Sequence, residues 1–367
     1  MNPVPTPMAA PPAVPFVAAN AISKSYGGAQ ALRGASLSVL PGEVHGLVGA
    51  NGAGKSTLIR ILAGVTQPDT GEIAIEGRPV AIVSPHAASG LGMSFIHQEL
   101  AFVPDMTVLE NIMLGLPKKK TRLGLVDWSA IQSDVAPIIE RVGITAPLDA
   151  AAKSLSTAEN WLISIARALV WKARLIVMDE PTASLSAGEC RKLFSIIRGL
   201  SAAGVAVLYV SHRLDEILDL CSRVTVFRDG RSVAVLDGSG LTRRRLVQEI
   251  VGGAVEQLPK SREATGGEIV LSVRGLRRLP RVEEASFDLR RGEVLGLGAD
   301  RPDAGSMTIE GRPFAPRTPA GAVRAGLGLV PEERRTEGLL LGKSVAFNLS
   351  LGNLTPLLAS PVLPFIS

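Results

Sequence analysis

Gly49-Ala50-Asn51-Gly52-Ala53-Gly54-Lys55-Ser56 is the stretch on which the fold turns. It has the spacing G-x-x-x-x-G-K-[ST]. An apolar run at 44–48 precedes it and reads as a buried strand; residues 56–63 follow it and read as a helix. Strand, glycine-rich turn and helix together form the context in which this spacing makes a phosphate-binding loop. Glycines let successive backbone N–H groups converge on phosphate oxygens, and the helix N-terminus adds positive partial charge. In that geometry Lys55 neutralises β and γ phosphates and the Ser56 hydroxyl ligates Mg²⁺.

Working outward, further apolar runs at 175–178, 205–210 and 224–227 read as buried strands, with a helix at 186–200 between two of them that ends near Gly204. The alternation predicts an α/β domain built on parallel strands. Residues 99–172 read as a mostly helical insert. Leu175-Ile176-Val177-Met178-Asp179-Glu180 is an apolar run that ends in two carboxylates. A buried strand of this kind places its acids at the carboxyl edge of the sheet, where ligands bind. Asp179 is expected to hold Mg²⁺ through water, and Glu180 to orient and polarise an attacking water. His212 follows the 205–210 run and reads either as a structural histidine or as a donor to a γ-phosphate. Gln98, in Ile96-His97-Gln98-Glu99, lies at a strand-to-loop change and reads, taken alone, as a surface polar residue. Tyr26 stands before the first expected strand pair and reads as a packing ring or as a platform for adenine.

Composition narrows the class. The chain has 367 residues, 46% of them hydrophobic and 20% charged, enough for two domains with sizeable cores. That apolar content excludes disorder along the whole length. Two cysteines, Cys190 and Cys221, exclude a disulfide scaffold and read as reduced core thiols. Two tyrosines and 4% aromatics argue against single-stranded nucleic acid binding by stacking. The net charge of +5 is mild; its basic residues come in short runs, Lys118-Lys119-Lys120 and Arg243-Arg244-Arg245, which read as solvated surface or as contacts to an anionic partner. No stretch of about 18 uninterrupted apolar residues is present. Residues 1–19 are rich in Pro and Ala and carry no Lys or Arg, so they read as a flexible tail and not as a secretory signal.

An internal repeat sets the organisation. Residues 35–47 match 285–297 at an offset of 250, and 64–71 match 298–305 at an offset of 234; Ile75-Glu76-Gly77-Arg78-Pro79 recurs as Ile309-Glu310-Gly311-Arg312-Pro313. The drop in offset from 250 to 234 means that 16 residues, the counterpart of 48–63, are absent from the second copy. The absent block is the phosphate loop and its helix. The expected layout is a tail at 1–19, a complete domain at 20–254, a linker at 255–267, a partial second domain at 268–352 and an apolar tail at 353–367. The second copy has lost a central layer and is expected to be a remnant.

Together these residues resemble the ATP-binding subunits of ABC transporters. The order is theirs: Tyr26 as A-loop, 49–56 as Walker A, Gln98 as Q-loop, Leu155-Ser156-Thr157-Ala158-Glu159 as signature, 175–180 as Walker B, Ala183-Ser184-Leu185-Ser186 as D-loop and His212 as H-loop. Phe95-Ile96-His97-Gln98-Glu99-Leu100 and Val210-Ser211-His212-Arg213-Leu214-Asp215-Glu216 are similar to the tandem ATPases of bacterial ribose, galactose and xylose-type importers, as is Leu329-Val330-Pro331-Glu332-Glu333-Arg334-Arg335 in the second copy. The resemblance implies a P-loop NTPase fold of the ABC type, a parallel-rich core sheet plus a helical subdomain, followed by an incomplete second ABC ATPase domain. It implies ATP and Mg²⁺ as cofactors. Nucleotide would bind Tyr26 and Gly49, Ala50, Asn51, Gly52, Ala53, Gly54, Lys55, Ser56 and Thr57; the metal would bind Ser56, Gln98 and Asp179; catalysis would fall to Glu180, His212 and Gln98. Leu155, Ser156, Thr157, Ala158 and Glu159 would complete a site in trans. Ala158 replaces the glycine usual in that motif, which weakens a close backbone approach to phosphate.

The implied partners are membrane permease subunits, a sugar-binding protein acting through the assembled complex, and a second copy or another ATPase; no nucleic acid is expected. The implied place is the cytoplasmic face of the bacterial cell membrane. Two alternatives remain open at this level: an ATP-binding protein that is catalytically incomplete or regulatory, and an ATPase acting on ribosomes or DNA, which the short mixed-charge linker disfavours.

Overall fold

The computed structural model describes residues 14–97, 101–183, 185–253, 267–278, 282–293, 304–316, 318–328 and 348. The chain divides into two compact units, 1–256 and 257–367.

In the first unit β1 (Val17–Tyr26) and β2 (Ala29–Val39) pair antiparallel, and β3 (Val44–Gly49) leads through the glycine loop into α1 (Lys55–Leu62). β4 (Thr70–Ile75) and β5 (Arg78–Val80) return to β1, giving an antiparallel sheet of order β2-β1-β4-β5. α2 (Pro85–Gly90) precedes β6 (Met93–Ile96). The helical insert contains α3 (Val108–Ile112), α4 (Trp128–Val142) and α5 (Thr157–Val170). β7 (Leu175–Asp179), α6 (Ala187–Ala202), β8 (Ala206–Val210), α7 (Leu214–Leu220), β9 (Arg223–Arg228), β10 (Arg231–Asp237) and α8 (Arg243–Val251) complete the unit. The core sheet runs β10-β9-β3-β8-β7-β6; β9, β3, β8, β7 and β6 are parallel, and β10 closes one edge antiparallel.

The central strands β7 and β8 are apolar, but for Asp179 at the end of β7, because both faces are covered. Successive side chains point to opposite faces. Leu47, Val177 and Leu208 pack with α1 and the antiparallel sheet, through Leu58, Ile61, Ile22 and Leu32. Their neighbours Val48, Ile176, Met178 and Tyr209 pack with α5 and α6, through Trp161, Ile165, Phe194 and Ile197. α3, α5 and α6 each begin with a capping box, Thr107 with Glu110, Ser156 with Glu159 and Ser186 with Glu189. These caps set where each helix starts, and so fix the loops just before them.

Several expectations shift. Phe16 is buried (1% exposed) and β1 starts at Val17, so residues 16–19 of the expected 1–19 tail belong to the fold. Tyr26 does not precede the first strand pair; it is the last residue of β1. The antiparallel sheet was not anticipated beside the parallel one. Cys221 is buried but Cys190 is only half-buried, on the outer part of α6. Residues 98–100, Ser184, most of the expected linker and the expected 353–367 tail lie outside the described residues, and Gln98 is among them.

The second unit is an antiparallel sheet of β11 (Ile269–Arg278), β12 (Val282–Arg290), β13 (Ala304–Ile309) and β14 (Arg312–Pro313), in the order β12-β11-β13-β14, with α9 (Pro319–Arg324) after it. This is the order of β2-β1-β4-β5, and the repeat extends to backbone detail. Glu76 and its counterpart Glu310 both adopt left-handed conformations, φ 50° and 48°, and Gly71 and Gly305 sit at φ 104° and 116°. α2 and α9 both start with proline behind a hydroxyl cap, Ser84 and Thr318. The antiparallel layer survives in the second copy because its strands come from segments that flank the absent block.

Candidate active site

The phosphate loop joins β3 to α1. Two glycines are sterically required. Gly49 has φ 154°, and a Cβ there would lie 2.2 Å from the Phe227 carbonyl oxygen. Gly54 has φ 102°, and a Cβ there would lie 2.6 Å from a Leu32 methyl and 2.8 Å from the Ala31 oxygen. The loop is thus wedged between β9 and β2, and side chains at these positions would push it out of shape. Lys55 Nζ donates to the carbonyls of Gly49 (2.7 Å) and Ala50 (3.1 Å), which folds the ammonium back over the loop. Burial lowers the Lys55 pKa, while the nearby carboxylates of Glu180 and Asp179 act against that. Ser56 and Thr57 follow it in the first turn of α1.

β7 brings Asp179 to the same sheet edge, one strand from β3 in space across β8. Burial raises the Asp179 pKa, and the adjacent Glu180 charge adds to it; His97 and Lys55 pull the other way. Glu180 has φ 50°, and its N–H donates to the Val210 oxygen at 2.9 Å. A non-glycine residue in the left-handed region is strained and is held there by its surroundings. That geometry aims the Glu180 carboxylate at His212, whose Nδ1 lies 3.1 Å from Oε1. His212 is otherwise exposed.

Below this pair lies a group that the sequence did not single out. Glu216, on α7, is 6% exposed. Its carboxylate accepts from Thr182 Oγ1 (2.8 Å), Tyr209 OH (2.9 Å) and Ser211 Oγ (3.1 Å), and pairs with Arg213 at 2.7 Å. Thr182 is two residues after Glu180, and Ser211 and Arg213 flank His212. One buried acid therefore ties the loop after β7 to the loop after β8. The available signal was the hydroxyls of Thr182 and Ser211 close to the candidate residues Glu180 and His212, but their common partner is set by tertiary packing.

The remaining candidates lie apart. Tyr26 is 44% exposed at the end of β1, with Lys24 Nζ 5.7 Å from its ring centroid. Of the signature residues, Leu155 precedes α5, Ser156 caps it, and Thr157, Ala158 and Glu159 form its first turn. There Glu159 Oε2 accepts from both the N–H and the hydroxyl of Ser156, each at 2.8 Å, and these bonds hold its carboxyl below the usual range. Ser156, Ala158 and Glu159 line a cavity of about 190 Å³ with Glu189, Lys192 and Leu193 of α6; no phosphate-loop residue lines it. A larger cavity, about 340 Å³, is lined by Phe95, Ile96 and His97 at the end of β6, with Leu114, Arg167 and Trp171 of the helical insert.

Comparison with known proteins agrees with this arrangement. The family model described as "ABC transporter" matches residues 32–183. The ribose import ATP-binding protein RbsA 2 of Streptomyces avermitilis is 41% identical over 356 residues, covering 93% of this chain and 70% of that protein. The arabinose import ATP-binding protein AraG of Azospirillum brasilense is 42% identical over 359 residues, with 93% and 68% covered. Among solved structures, the ADP conformation of an ATP-binding cassette of an ABC transporter superposes with a TM-score of 0.58 at 27% identity, covering 65% of this chain and 97% of that one. The chain is an ATP-binding protein of the ABC transporter family.

Proposed function

We propose that this chain binds Mg-ATP on loop 49–57 and hydrolyses it to drive import of a monosaccharide. The observation that carries the reading is the convergence of Lys55, Asp179, Glu180 and His212 on one edge of the core sheet, beside a loop shaped to receive phosphate. The relatives named for ribose and arabinose import support the substrate class.

Among the described residues no cluster of three or more His, Cys, Asp or Glu side chains is placed to hold an ion. That suits Mg²⁺, which keeps waters and substrate phosphate oxygens as ligands and needs few from protein. Ser56, Asp179 and Gln98 would hold it, and it would neutralise charge developing on the phosphates. Lys55 would leave the Gly49 and Ala50 carbonyls for phosphate oxygens. Glu180 would orient the attacking water and accept its proton, with His212 fixing the carboxylate and donating toward the γ-phosphate. No phosphate-loop residue lines the cavity at Ser156, Ala158 and Glu159, so the signature, Leu155–Glu159, would act on a second ATPase in trans. The groove beside His97 and Trp171 would receive the permease subunits, and a sugar-binding protein would act through them. No helix among the described residues is long and apolar enough to cross a membrane; the chain would sit at the cytoplasmic face of the membrane through its contact with the permease.

The absence of a phosphate loop from the second copy favours one other reading, a protein that binds ATP without turning it over. Turnover measured at several protein concentrations, with nucleotide binding on the same samples, separates the two. Specific activity that rises with concentration supports trans pairing; binding without turnover, alone or with a partner ATPase, refutes the hydrolytic reading. Lys55→Ala is expected to abolish nucleotide binding. Glu180→Gln is expected to retain binding and lose at least a hundredfold in turnover; full activity in that variant sinks the assigned base.

A further inference from the structure

The basic run Lys118-Lys119-Lys120 plays no part in the nucleotide site. It opens a hairpin that leaves the helical insert between α3 and α4. Lys120 and Val126 bridge antiparallel, Thr121 N–H donates to the Leu125 oxygen at 2.7 Å, and Asp127 N–H donates to the Lys119 oxygen at 2.9 Å. The base of the hairpin is anchored: Leu116, Val126 and Trp128 pack on a small core of Leu109, Met113, Ile131 and Val135. The tip is the reverse. Leu123 is 88% exposed and Leu125 67%, and Leu123 is the most exposed large apolar side chain among the described residues.

Single exposed apolar residues need no explanation, but this pair comes with a collar of charge. Lys118 lies over the Trp128 ring at 5.8 Å and Lys119 pairs with Asp134 at 2.5 Å. Lys120 and Arg122, on the arm that leads into the tip, make no ion pair among the described residues. The chain's other basic run is different: Arg243 pairs with Asp215, and Arg245 with Glu249. Leucines projecting from an anchored loop, with two long cations beside them that make no ion pair among the described residues, match an interface between hydrocarbon and anionic headgroups. The apolar tips enter the acyl boundary while Lys and Arg reach headgroup phosphates. The tip carries no aromatic ring for base stacking, which disfavours single-stranded nucleic acid as the occupant. Leu114, four residues before the run, lines the groove assigned above to the permease, so the hairpin springs from the rim of the membrane-facing contact.

We propose that hairpin 118–126 is a membrane-surface contact, with Leu123 and Leu125 inserted at the headgroup boundary of an anionic leaflet and Lys120 and Arg122 on its phosphates. The orientation toward the bilayer rests on the importer reading; the lipid contact is tested without it, because vesicles contain no permease. The full chain is sedimented with vesicles of phosphatidylcholine alone or mixed with phosphatidylglycerol, at low and high salt, with ATP binding measured on each sample. Binding is expected only with phosphatidylglycerol and is expected to weaken with salt. The pair Lys120→Glu and Arg122→Glu, and separately Leu123→Asp and Leu125→Asp, are each expected to lower partitioning at least tenfold with nucleotide binding intact. Arg244→Glu, in the other basic run, is expected to leave it unchanged. Wild-type chain that ignores anionic vesicles, tip variants that bind like wild type, or a loss in Arg244→Glu equal to that in the tip variants would overturn the proposal. Lipid binding without ATP turnover would separate the failure of the importer reading from this one.

Discussion

Glu159 illustrates how one side chain can set the use of a motif. A carboxylate near a helix N-terminus is stabilised by the exposed N–H groups and the helix dipole. Here it also takes the Ser156 hydroxyl, at 2.8 Å. If α5 is to meet the γ-phosphate of another ATPase, that phosphate approaches a position already held by a negative charge. Glu159→Gln keeps the reciprocal cap, since Gln serves in a capping box as Glu does, and removes the charge. The expected result is a several-fold rise in concentration-dependent turnover, unchanged ATP affinity at low protein concentration, and a stability loss of about 0.3–1 kcal/mol from the weakened dipole interaction. Turnover curves and thermal melts check it, and slower turnover in the variant counts against a trans role for Ser156. At this scale the phosphate loop and the Asp179–Glu180 pair were legible in the sequence because their chemistry is local: a strand, a turn and a helix within twenty residues. Glu159 was legible as a motif member, but its bond to Ser156 was visible only once α5 was seen to begin there.

Among the elements, the two loops after β7 and β8 behave as one device because Glu216 joins them. Four donors converge on a buried carboxylate, and removing its charge leaves Arg213 and up to three hydroxyls poorly paired. Each unsatisfied group costs about 1–3 kcal/mol. Glu216→Gln preserves volume. It is expected to bind ATP within about twofold of wild type, since the phosphate loop lies on β3 and α1, yet to lose roughly 10–100-fold in turnover as the Glu180–His212 geometry loosens. The chain has four histidines, so the ring resonances of His212 can be assigned by comparison with a His212 variant. Their displacement in Glu216→Gln, with the His86 resonances unmoved, separates a positioning effect from general destabilisation. Normal turnover with the fold intact would remove Glu216 from the device. The parallel strands were legible as continuous apolar runs. The antiparallel sheet was not, although its buried set, Ala19, Ile22, Leu32, Ala35, Leu37 and Val39, is apolar. The register of β1 against β2 shifts three times, between Ala19 and Ile22, Ile22 and Ser23, and Lys24 and Ser25. Each bulge resets the alternation that marks a half-buried strand.

For the whole molecule, the two units differ in what each can bury. The first holds two extensive cores on either face of its central sheet. In the second, Val273 at 2% exposure is the only fully buried hydrophobic side chain among the described residues. Its sheet order repeats that of the first unit, but in the first unit the corresponding sheet is buried against α1 and the parallel strands, and the counterpart of that helix is absent from the second copy. An antiparallel sheet with little apolar surface covered is marginal in stability. Two units of unequal core size are expected to unfold in separate steps. Nucleotide stabilises only the unit that binds it, by about 2.7 kcal/mol at a hundred times the dissociation constant. Calorimetry of the full chain should therefore show a weak transition that ignores ATP and a stronger one that rises with it, and Lys55→Ala should remove the rise while leaving the weaker transition in place. A single transition moved as a whole by ATP would mean that the second unit draws its stability from the first, and that the partial copy is retained as part of one cooperative fold.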